Sequence, residues 1–244
     1  MTATRPRPAF YALRSGGWRD YVTLLHPPYT LWHLSYVAVG AALVPRMDWP
    51  LLGWTALAFA LAMGVGAHAL DEMRGRPLQT RISQPVLVTL AVVSISAAAA
   101  IGIAVAVSRT LWLLVFVAVG AFFVVAYNLE LFDGRFHGGL WFPAAWGAFP
   151  VLTAYFASAE TLRAAAFAAA GYAFATSWAQ RRLSTPVRLV RRRVVAVEGE
   201  IRLDDGTTRP IDANTLAAEP EIALKMLAAA TVLIAVALLL FRAG

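Results

Sequence analysis

Cysteine is absent from the 244 residues, which excludes disulfides, thiolate metal centres and cysteine nucleophiles. Charge is scarce too: 14% of residues are Asp, Glu, Lys or Arg, against 59% hydrophobic ones, too few to cover a water-soluble domain. Only four histidines occur, so imidazole chemistry is confined to His26, His33, His68 and His137. Acidic residues are outnumbered, leaving a formal net charge of +7. In so apolar a chain that excess reports membrane orientation and contact with anionic lipid, and nucleic acid is not an expected partner. Met1 to Asp20 is polar, rich in Arg and Pro, and lacks the apolar stretch of a signal peptide, so no cleaved leader is expected.

Long uncharged runs dominate the remainder. A bilayer core of roughly 30 Å takes about 20 apolar residues per helix, and helices satisfy their own backbone groups in lipid. Spans are predicted at 29–45, 50–70, 84–107, 110–128, 139–158, 160–179 and 222–241. The expected fold is an all-α polytopic transmembrane bundle of about seven spans, forming one domain. All basic residues except Arg46, Arg109, Arg163 and Arg242 fall on one side of it: in 1–28, in the second, fourth and sixth loops, or at Lys225. The positive-inside rule then makes the N-terminus and those loops cytoplasmic, in a plasma or inner membrane, and puts the C-terminus outside. The polar stretch 186–219 reads as a cytoplasmic insertion with a small β-hairpin-like element around Glu198-Gly199 and Asp205-Gly206. Its Arg191-Arg192-Arg193 run is expected against anionic headgroups.

Chemistry concentrates where the second span ends, in His68-Ala69-Leu70-Asp71-Glu72 followed by Arg74, Arg76 and Arg81. On a continuing helix His68 shares a face with Asp71 and Glu72, at i+3 and i+4. Two carboxylates at the membrane boundary suit Mg²⁺, which completes its shell with water and phosphate oxygens. The three arginines are candidates to hold the phosphates by charge-assisted hydrogen bonds. In the first span, His33 sits about one turn inside and is a candidate to line a cavity, whereas His26 reads as interfacial.

The segment resembles the first aspartate-rich motif of the UbiA prenyltransferase superfamily, Asn-Asp-x-x-Asp-x-x-x-Asp followed by Arg-Pro-Leu. Asp71 matches the second motif aspartate and Arg76-Pro77-Leu78 the following loop, while Ala67, His68 and Gly75 stand at the asparagine and at the first and third aspartates. Tyr127-Asn128 at the end of the fourth span, with Gly138-Gly139 and Trp146-Gly147-Ala148-Phe149-Pro150 beyond it, resembles the family's pattern there. After the sixth span, where the family carries a second acidic motif, this chain has Gln180-Arg181-Arg182 and no carboxylate, leaving Glu130 and Asp133 as the nearest acids.

The resemblance implies transfer of an isoprenoid or related lipid group from a diphosphate donor, with one Mg²⁺ held by Asp71 and Glu72. It gives catalytic roles to Asp71, Glu72, His68, Tyr127 and Asn128; Arg74, Arg76, Arg81, Arg181, Arg182 and His33 are the candidates for phosphate or substrate contacts. Trp32, Phe123, Trp146, Phe149 and Tyr155 are candidates to line an isoprenoid pocket. A terpene cyclase needs the same ionisation without an acceptor, and a lipid-binding scaffold that has lost catalysis accounts for the missing second motif.

Overall fold

The computed structural model describes residues 7–244 and is mostly helical; Arg5 of the N-terminal basic group lies outside the described residues. A short helix α1 (Trp18–Leu24) precedes α2 (Pro27–Ala42), α3 (Trp49–Met73), α4 (Gln84–Ser108) and α5 (Leu113–Asn128). Then come α6 (residues 141–159), α7 (Ala164–Arg193), strands β1 (Glu200–Arg202) and β2 (Thr208–Pro210), and α8 (Ala213–Ala243). Each of the seven apolar stretches is thus helical. Three of them, α3, α4 and α8, are long and apolar enough to cross a membrane. Their outward faces carry Val92, Val93, Val107, Leu233 and Leu240, all exposed, a surface for lipid rather than water. The protein is accordingly a membrane protein.

Proline starts several helices, with Pro27, Pro50 and Pro85 in the first turn, where its missing N–H costs nothing. Asp48 caps α3 by accepting the Leu51 N–H at 3.0 Å and pairs with Arg109. Helix α2 is the core of the bundle, buried from Trp32 to Ala42 apart from Leu34, and it packs on α6 and α8. Two glycines permit that closeness. A Cβ on Gly40 would stand 2.4 Å from the Val151 carbonyl oxygen of α6, and one on Gly147 would stand 2.5 Å from that of Ala173 in α7.

The polar insertion is smaller than the sequence implies. Residues 186–193 continue α7 and residues 213–219 begin α8, so only 194–212 leave the helices. There β1 and β2 form a two-stranded antiparallel hairpin pairing Ile201 with Arg209, around Asp205-Gly206. An internal proline ordinarily costs a helix about 3 kcal/mol, yet α7 runs through Pro186. Ser184, Val187 and Val190 are buried against the bundle on the same helix face, and that packing outweighs local propensity.

Candidate functional site

One end of the bundle opens into a polar cavity of about 540 Å³. Its wall draws on His26, Tyr29 and His33 from the start of α2, and on Met63, His68 and Asp71 from the end of α3. The end of α5 gives Tyr127 and Asn128, α6 gives Phe142 and Trp146, and α7 gives Gln180, Arg181, Arg188 and Arg192. Residues Pro8–Tyr11 close it from the N-terminal side, tied down by a Tyr11 hydroxyl to His26 Nδ1 contact of 2.8 Å and by Arg192 Nε donating to the Pro8 carbonyl at 3.3 Å. All four histidines of the chain line this cavity.

The end of α3 is shaped by a π-helical stretch, Ala60–Ala67, that stops at His68; such wide turns recur at functional sites. His68 and Asp71 then face the cavity, and the His68 ring stacks on His26 with centroids 4.0 Å apart. Glu72 does not join them. Successive helical residues leave the axis roughly 100° apart, and here the two carboxylates diverge. Glu72 is fully buried on the other flank, where it accepts the Leu78 N–H, the Thr80 N–H and the Thr80 hydroxyl, each at 2.9 Å. Its work is to hold the 74–81 loop.

That loop's arginines turn away as well. Arg74 donates to the Leu129 carbonyl and pairs with Glu130 at 3.1 Å, Arg76 donates to the Ile82 carbonyl, and Arg81 is exposed, with its backbone N–H on buried Asp20 at 2.8 Å. Guanidinium groups reach the cavity from α7 instead. Arg181, Arg188 and Arg192, at i, i+7 and i+11, fall within about 40° of one another around the helix. Arg181 is aimed by donating to the Tyr127 hydroxyl at 2.7 Å and the His137 carbonyl at 3.1 Å. Arg182, its sequence neighbour, is exposed and off the wall. Burial, with Arg188 alongside, lowers the Arg192 pKa, since both disfavour the charged form.

For Mg²⁺ the donors fall short of the expected pair. With Glu72 saturated by the loop, Asp71 is the one carboxylate on the inner wall, and Glu130 at the rim is engaged by Arg74. Among the described residues no three His, Asp or Glu side chains converge on a metal position. Asp133 is exposed and off the cavity wall. The positive charge of this site is carried by arginine.

A second, apolar cavity of about 120 Å³ lies between α3, α4, α5 and α6. Phe123, Trp146 and Phe149 line it, whereas Trp32 and Tyr155 are packed in the core. Met63 and Trp146 belong to both walls, so the two cavities adjoin. A space of ~150 Å³ takes a benzene ring, so the apolar one accepts about one isoprene unit, and a longer chain must continue between the helices.

Sequence reasoning missed Tyr11, His137, Gln180, Arg188 and Arg192. Arg188 and Arg192 were legible as a helical stripe with Arg181, had the sixth span been continued through Pro186. The others needed the fold.

His26 sits outside the spans as the residue before α2, in a left-handed conformation with φ 47°. Burial holds its imidazole well below the usual histidine range, and the adjoining His68 ring adds to the effect. The unfolded chain takes up a proton there near pH 6.5 while the folded protein does not, so the unfolded state gains protons and stability falls as pH drops below about 6.5. Melting temperature in nanodiscs is expected to fall between pH 7.5 and 5.5, with a shallower slope in His26→Asn, which tolerates the same backbone. Parallel slopes would deny His26 this role.

No protein-family model matches the chain, and neither curated proteins nor solved structures give a match.

Proposed function

We propose that the protein is a UbiA-like intramembrane transferase that moves an isoprenoid or related lipid group from a diphosphate-activated donor, in a bundle of seven spans whose polar cavity opens to the cytoplasm. The observation that carries this reading is the arginine-lined polar cavity adjoining an apolar one across Met63 and Trp146. That arrangement suits an amphiphile with an anionic head. Orientation follows from Arg181, Arg188 and Arg192 standing at the basic end.

In this reading the diphosphate lies against Arg181, Arg188 and Arg192, and its first prenyl unit enters the aromatic cavity. Guanidinium hydrogen bonds stabilise the negative charge that builds on departing pyrophosphate as the allylic C–O bond breaks. The cation left on the chain faces Phe123, Trp146 and Phe149, whose ring faces attract positive charge. The acceptor's electron pair then forms the new bond, its proton passing to a neighbouring base, a role this reading gives to Asp71 or His68 on the cavity wall.

Asp71 being alone on the inner wall favours a second reading, a lipid-binding scaffold that keeps the cavity without the chemistry. Titration of farnesyl and geranylgeranyl diphosphate into the purified protein tests what both share: saturable binding is expected, and its absence in folded protein would remove the diphosphate reading. Release of pyrophosphate from bound donor, reduced by a hundredfold or so in Asp71→Asn, separates the transferase from the scaffold.

A further inference from the structure

Arginine is only half of the cavity's hydrogen-bonding character. His33 Nδ1 lies 2.6 Å from the Tyr29 carbonyl oxygen, His68 Nδ1 3.0 Å from that of Gly64, and His137 Nδ1 3.0 Å from that of Tyr127. A carbonyl only accepts, so each Nδ1 carries the proton, and in the neutral ring the lone pair is left on Nε2. Three imidazoles on one cavity wall are thus locked into the same tautomer by three different backbone carbonyls. Among the described residues three side-chain atoms are buried without any hydrogen-bond partner, His26 Nε2, His33 Nε2 and Gln180 Oε1, and the last two are acceptors. His33 and Gln180 are 6% and 4% exposed.

Buried acceptors left unpaired are costly, and no arginine satisfies these. A fully ionised phosphate or diphosphate brings acceptors alone; it suits Arg181 and Arg188 and is repelled by imidazole lone pairs. The inner wall therefore asks for a ligand that carries O–H donors alongside its anion.

We propose that the inner end of the cavity is a hydroxyl-recognition subsite, in which His33 Nε2, His68 Nε2 and Gln180 Oε1 accept hydrogen bonds from a phosphorylated polyol whose phosphate rests on Arg181 and Arg188. This rests on the reading of the cavity as an anionic-headgroup site, and names the chemistry of that headgroup.

The test is a titration of the full chain, ¹⁵N-labelled at histidine, in phosphatidylcholine nanodiscs with glycerol 3-phosphate and with propyl phosphate, which has the same carbon skeleton and no hydroxyl. Glycerol 3-phosphate is expected to bind about tenfold more tightly, each acceptor satisfied contributing on that scale, and to move the histidine Nε2 resonances while propyl phosphate leaves them in place. In His33→Phe, where the ring can keep its edge contacts with Tyr36 and Phe142, the preference shrinks and propyl phosphate affinity is unchanged. The wild-type comparison decides the matter even if that variant fails to fold. Equal affinities with unmoved Nε2 signals overturn the hydroxyl subsite and leave the anion site standing; no binding of either phosphate to folded protein overturns both. Repeating the titration with phosphatidylglycerol in the nanodisc separates the sources: competition assigns the subsite to a lipid headgroup, and its absence to a soluble phosphopolyol.

Discussion

Replacing Arg181 and Arg188 together by glutamine is expected to weaken farnesyl diphosphate binding by on the order of a hundredfold, whereas removing Mg²⁺ changes it by less than about twofold. Each guanidinium offers charge-assisted hydrogen bonds worth about 1.5–3 kcal/mol, and 1.4 kcal/mol is a factor of ten. Losing two such contacts reaches a hundredfold even with partial compensation from Arg192. Arg182→Gln is the control, because that side chain is exposed and stands off the wall; it should bind as the wild type does. Calorimetry with and without a chelator measures both effects. Binding that collapses on chelation while surviving the double substitution would reverse the assignment, and return the diphosphate to a metal held by Asp71.

The second large effect concerns the junction of α7 and α8. Arg191 and Glu221 meet bidentately, with Nη2 2.6 Å from Oε2 and Nε on Oε1, and the Glu221 side chain is 9% exposed. Donating these hydrogen bonds to Glu221 raises the Arg191 pKa, so the guanidinium keeps its charge. Arg191→Gln strands a buried carboxylate, at a cost of about 3–5 kcal/mol. A fall in unfolding free energy of that size is expected in detergent, while Arg191→Gln with Glu221→Gln recovers most of it because no orphaned charge remains. If the double variant is as unstable as the single one, the loss comes from packing rather than from the stranded charge. The pair also aims its neighbour: with Arg191 turned to α8, Arg192 lies about 100° further round the helix, on the cavity side.

The run Arg191-Arg192-Arg193 shows where reading along the chain stops short. As a sequence it is a block of positive charge for anionic headgroups. As part of α7 it is divided by helical rotation, one guanidinium closing the α7–α8 junction and the next facing the cavity. Asp71 and Glu72 divide in the same way, one to the cavity and one to the loop. Arg74, Arg76 and Arg81 were drawn to phosphate by proximity to Asp71, but the carbonyls of Leu129 and Ile82 and the side chain of Glu130 claim two of them. A loop's donors go first to whichever buried or ion-pairing acceptors the fold brings within reach.

Hydropathy by itself determined that the chain is helical and belongs in a membrane, since uncharged runs of about 20 residues leave the backbone no other way to satisfy its polar groups in lipid. Helical spacing marked His68 and Asp71, depth in the first span marked His33, and the family resemblance pointed to Tyr127, Asn128 and Arg181; each of the six lines the polar cavity. Only tertiary structure decided that Glu72 and the loop arginines stand outside it, that α7 continues through Pro186 to deliver Arg188 and Arg192, and that Tyr11, His137 and Gln180 complete the wall. Those outcomes depend on which side of a helix meets which neighbour, and on partners tens of residues away in sequence, and a local pattern of residues carries neither.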